Sequence, residues 1–151
     1  MTSAMPGLGT VGVSEINRVE LALAADAQML FLARMTGAAV ATRADFNYEQ
    51  VEDLRLAIDE LCIGLMSTVN GSGRITLVFQ WDEEGTLEVT GRLTPDGEPS
   101  VNGHGTATAG SDVSFELSER ILDALVDDHG AEVTEGAHRA WLRMRRREPL
   151  A

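Results

Sequence analysis

A single cysteine, no lysine and no long apolar run: these absences bound the 151-residue chain before any motif is considered. One thiol, Cys62, excludes an internal disulfide and any zinc site built from several cysteines. His104, His129 and His138 do not stand at ligand spacing, so no metal site is expected. With lysine absent, all 12 cations are arginine, and no lysine is available to clamp a phosphate. No apolar stretch approaches the roughly 20 residues a membrane helix needs. The N-terminus has no basic region leading into an apolar one, so no secretory signal is expected. A cytoplasmic, membrane-free protein is the expectation.

The net charge is −12, and it is unevenly spread. Residues 1–138 hold 23 of the 24 acidic residues but 7 of the 12 arginines, while Arg139, Arg143, Arg145, Arg146 and Arg147 crowd the C-terminus. So acidic a body repels nucleic acid and suits a basic protein partner. Length and hydrophobic content fit one domain with its own core.

The chain is organised around Phe46–Val69. Asn47 can cap a helix, with Gln50 three residues on completing a capping-box-like pair, and Phe46 and Val51 have the spacing of a hydrophobic staple. Val51, Leu54, Ile58, Leu61, Leu65 and Val69 recur at helical spacing. Cys62 widens that stripe and is expected to be a buried core thiol. The glycines after Asn70 end the helix.

Around this helix, residues 1–16 read as a flexible leader and 17–147 as one domain. Val19–Leu23 alternates as a strand, and Ala25–Arg43 returns to helical spacing with Asp26 as its cap. Arg74–Gln80 and Thr86–Gly91 form an expected hairpin. Thr94–Asp112 is a long loop with four glycines. A further helix begins near Ser114 and stops at Gly130. Ala131–Glu135 and His138–Arg147 close the chain as a hairpin, in which Arg139, Trp141, Arg143 and Arg145 form an outer face. The order predicts an α+β, two-layer sandwich with helices on one face of a mixed, mostly antiparallel sheet.

Leu54–Met66, LRLAIDELCIGLM, resembles the first nucleotide motif of the RsbW/SpoIIAB-type anti-sigma factors, roughly L-x-x-A-x-x-E-A-x-x-N-A. These are serine kinases with the histidine-kinase-like ATPase fold, and the order of elements resembles that layout from about residue 19 to 145. The resemblance implies a general base at Glu60 and a Mg²⁺-holding asparagine at position 64, which is glycine here. It also implies an adenine-reading aspartate directly after the second hairpin strand. Gly91-Arg92-Leu93 stands there, and Asp96-Gly97 is the nearest substitute. In the first helix, Arg34 matches an arginine that faces the partner.

These departures shape the functional expectation. Gly64 offers no ligand oxygen, and Asp96, Glu98, Asp112, Glu116 and Glu119 lie in a stretch without arginine. ATP and Mg²⁺ are the cofactors the resemblance implies, but none is expected to be retained. The expected function is sequestration of a sigma factor by protein contact. Two alternatives stand beside it: an active serine kinase acting on an anti-anti-sigma protein, and a homodimeric scaffold that binds no nucleotide.

Overall fold

Five segments of period-two alternation and three of helical periodicity fold into two layers. A computed structural model describes residues 17–68, 73–96, 109–134 and 137–147. The leader proposed for residues 1–16 lies outside them, as do Gly97 and His104. The elements run β1 (Asn17–Ala24), α1 (Leu30–Arg43), α2 (Tyr48–Met66), β2 (Gly73–Trp81), β3 (Thr86–Pro95), α3 (Ala109–Leu125), β4 (Asp128–Thr134) and β5 (Ala137–Arg145). This is the α+β sandwich expected. The sheet order is β1-β2-β3-β5-β4, and all four pairings among the described strands are antiparallel, so the mixed sheet is refined to an antiparallel one.

One face of the sheet carries the core. Ile75, Leu77 and Phe79 of β2, Leu87, Val89 and Leu93 of β3, and Leu142 and Met144 of β5 are buried. The apolar stripe of α2 lies on them through Leu54, Ile58, Leu61 and Leu65, and Ala33 and Val40 of α1 join the same cluster. Gly91 sets how closely α2 approaches: a Cβ there would stand 2.8 Å from a Leu65 methyl and 3.2 Å from a Leu77 methyl. No helix among the described residues is long and apolar enough to cross a membrane.

Four local expectations are corrected. Asn47 does cap α2, its side-chain oxygen accepting from the Gln50 N–H at 2.8 Å. The Gln50 side chain does not complete a capping box. It is fully buried, donating from Nε2 to the Arg145 carbonyl at 2.7 Å and accepting from the Arg147 N–H at 3.0 Å. A buried amide that finds one partner on the last residue of β5 and the other two residues beyond it has no reason to turn back on its own helix.

Asp26 caps a short 3-10 turn, Ala27–Met29, and α1 follows from Leu30. The last helix ends at Leu125 rather than Gly130, which lies inside β4 opposite Trp141. A Cβ on Gly130 would meet the indole at 2.8 Å, so this glycine seats an aromatic ring across the strands instead of stopping a helix. β3 also runs on to Pro95, so Gly91-Arg92-Leu93 are strand residues.

The C-terminal arginines divide by strand geometry. Arg139 and Arg143 flank Trp141 on the outer face, as alternation with buried Leu142 and Met144 requires. Arg146 turns back into the fold, its N–H meeting the Gly85 carbonyl at 2.7 Å and its guanidinium the Ala44 carbonyl at 3.0 Å. Ala44 is the C-terminal cap of α1, where a cation meets the negative end of the helix dipole.

Candidate functional site

A cavity of about 260 Å³ opens between α2, α3 and the β4–β5 hairpin. Helical spacing of four places Glu60 and Gly64 on the same side of α2, and both line it. From the opposite wall Ser118 of α3 donates its hydroxyl to Glu60 Oε2 at 2.9 Å. Gly64 is not glycine for packing reasons, because an added Cβ would find no heavy atom within 4 Å. Its missing side chain therefore leaves open space at the cavity wall. At this position the backbone carbonyl accepts from the Ser67 hydroxyl at 2.8 Å.

The floor comes from β5. Counting back by two from buried Met144 and Leu142 through Ala140 reaches His138, which lines the cavity and whose buried Nδ1 has no partner among the described residues. His129 of β4 also lines it, with Nε2 2.6 Å from Asp123 Oδ1 of α3. The cavity is thus mostly apolar in its walls, with the carboxylates Glu60, Glu119 and Glu132, the imidazoles of His129 and His138, and Arg139 as the ionisable groups on its lining. Neither Ser118 nor His138 was singled out from the sequence. The period-two pattern of β5 pointed inward at His138, whereas nothing local marks Ser118 as the partner of Glu60.

Asp96 is elsewhere. It lies just past β3 and lines a groove on the opposite, outer face of the sheet, together with Arg18, Arg74 and Arg92. The structure therefore brings Glu60 and Gly64 together and separates Asp96 from them, and Gly97 lies outside the described residues. Among the described residues no group of three or more His, Cys, Asp or Glu side chains is arranged to hold a metal ion.

Arg34 bridges α1 and α2. Its guanidinium donates to Asp59 Oδ1 of α2 at 2.7 Å, with both side chains about one-third exposed or less. The same two helices keep apolar side chains in solvent: Phe31 and Met35 on α1, and Leu56 and Ile63 on α2, the latter two lining a groove with Asp59 on the side of α3. Cys62 sits beneath, fully buried. Burial pushes its thiol up to about 12, the Asp59 carboxylate adding to the rise and Arg34 opposing it.

Comparison with known proteins agrees with the sequence resemblance over part of the chain. No family model matches. The serine-protein kinase RsbW of Bacillus cereus (strain B4264) is 32% identical over 69 residues, which is 44% of this chain and 43% of that protein. The RsbW proteins of Bacillus mycoides (strain KBAB4) and Bacillus thuringiensis (strain Al Hakam) match over the same shares at 32% and 30% identity. The chain thus spans less than half the length of the curated relatives it matches. Over that stretch it is related in sequence to the RsbW serine-protein kinases.

Proposed function

We propose that the protein is an anti-sigma-factor-like regulator that holds a sigma factor by direct contact, through the helical layer around Arg34, without nucleotide chemistry. The observation that carries this is that Phe31, Met35, Leu56 and Ile63 stay 45–61% exposed on the two helices that the Arg34–Asp59 pair joins. Exposed apolar side chains together with a charged pair are the usual make-up of a protein-binding patch, with anchors to bury and a guanidinium for orientation. An arginine at that point can exchange Asp59 for a partner carboxylate with little change in geometry.

The nucleotide half of the family chemistry has weak support in the cavity. Glu60 already takes a hydroxyl from Ser118, and position 64 provides no oxygen. A Mg²⁺ ion at such a site would lack a direct side-chain anchor beside the carboxylate. The kinase reading retains one specific support, the similarity to proteins named serine-protein kinases. Gly64→Asn separates the two readings. Open space at position 64 accepts the new amide, and replacing glycine inside a helix should cost no stability. Gain of Mg-ATP binding in the variant alone supports an eroded site, whereas equal binding by wild type and variant supports the kinase.

The test of the contact reading is a titration of purified sigma-factor domains with wild type, Arg34→Glu and Met35→Asp. Both variants should weaken the complex, by roughly tenfold or more for loss of a central anchor. Unchanged affinity in both variants would remove the helical layer from consideration.

A further inference from the structure

The outer face of the sheet carries an arrangement that the helical-layer reading does not use. Antiparallel register sets Arg92 of β3 directly opposite Arg139 of β5. On the other side of β3, Arg74 of β2 stands one pleat away, opposite Thr94. Like charges directly opposite one another in a sheet are destabilising. Among the described residues neither Arg74 nor Arg92 has a carboxylate in ion-pair reach, and Arg139 has Glu132 at 3.7 Å. This happens in a chain with twice as many acidic as basic residues, so countercharge is not scarce.

The three arginines line one groove of about 660 Å³, joined by Arg18 from β1. Between them stand Thr76, Thr90 and Thr94, which add hydroxyls capable of donating or accepting. Val78 adds an apolar side chain to the same lining. Local rules broken at an exposed site without a compensating ion pair among the described residues point to a place where a ligand supplies the compensation.

We propose that this groove is a docking site for an acidic protein segment, whose carboxylates pair with Arg74, Arg92 and Arg139. Guanidinium groups recognise carboxylates in a two-pronged geometry, and alternating arginine and threonine suits separated side chains better than a continuous polyanion. Glu20 and Asp96 line the same groove and would repel a continuous polyanion at more points than a short segment whose few carboxylates reach only the arginines. The net charge of −12 opposes a long polyanion further. A short acidic segment escapes most of that opposition, since screening confines it to its neighbours within about 8 Å at physiological salt. A second copy docking face to face would set this arginine cluster close to its own image.

The experiment uses a fluorescently labelled oligoglutamate peptide, titrated by anisotropy into the full chain. Saturable binding is expected, weakened roughly tenfold or more by Arg74→Glu/Arg92→Glu and unaffected by Arg55→Glu on the helical layer. The double variant should be folded, because Arg92→Glu replaces a like-charge cross-strand pair by an opposite one, and its melting temperature should equal or exceed the wild type. No binding, or equal binding by wild type and double variant at unchanged fold, overturns the proposal. So does tighter binding of oligodeoxythymidylate than of the peptide, which would make the groove a nucleic-acid site. A wild-type dimer in sedimentation that the double variant dissolves, without peptide binding, would make it a self-interface. The sigma-domain titration is an independent readout, since Arg34 and Met35 lie on the other layer.

Discussion

Replacing Gln50 by leucine keeps the side-chain volume at the base of α2 and removes two hydrogen bonds. In the native fold the amide is fully buried and holds two polar groups at and just past the end of β5, the Arg145 carbonyl at 2.7 Å and the Arg147 N–H at 3.0 Å. Each bond is worth a net ~0.5–1.5 kcal/mol, and a partner left without water costs more. Leucine recovers part of this by burying apolar surface. A loss of about 2 kcal/mol is expected, equivalent to roughly 4–8 °C in melting temperature at this chain length.

Urea denaturation should show a lower midpoint at unchanged slope, and amide exchange at Arg147 should lose protection while the centre of β5 does not. Gln50→Glu adds a sign test. Its carboxylate can accept from Arg147 but cannot donate to the Arg145 carbonyl, and burial disfavours its charge. The folded-state pKa is then raised, so stability is present at acid pH and lost as pH climbs through it. A Gln50→Leu variant as stable as wild type, with Arg147 still protected, would mean that the amide does not pin the two elements.

Other consequences follow from packing and titration. Gly91→Val should destabilise by about 1–3 kcal/mol, since even its Cβ must displace the Leu65 methyl at 2.8 Å, and thermal unfolding will show whether α2 can retreat instead. Cys62 should resist alkylation in the native state at pH 8. Because its folded-state pKa is raised from 9.0 to about 12, it should remove stability as pH rises through that window, by up to roughly 1.4 kcal/mol per pH unit. Cys62→Ser, which does not titrate there, should flatten the alkaline limb of the stability curve; an unchanged limb would exclude the thiol as its source.

Much of the architecture was legible because periodicity is a direct image of burial. The alternation of Ile75, Leu77 and Phe79, and of Leu142 and Met144, fixes which face of each strand meets the helices. The α2 stripe and its Asn47 cap follow from local spacing alone. Partnerships across the chain were not legible. Gln50 reads as a capping-box residue from its neighbours, yet its partners lie 95 and 97 residues away. Gly130 has the look of a helix stop until Trp141 is placed opposite it. In the candidate site, Glu60 and Gly64 share a helix and were found together. Ser118 is 58 residues from Glu60 and belongs to another element, while Asp96, a few residues past the point where the resemblance places the adenine-reading aspartate, lies on the far side of the sheet. Sequence distance predicts proximity within a helix and fails across a sheet.

One titration bears on the whole proposal: the affinity of a sigma-factor domain for the wild-type protein, measured with and without Mg-ATP. Contact through the helical layer at Arg34, with Glu60 engaged by Ser118 and nothing at position 64 to anchor a metal, requires the same dissociation constant in both conditions. A complex that forms only when Mg-ATP is present would contradict it.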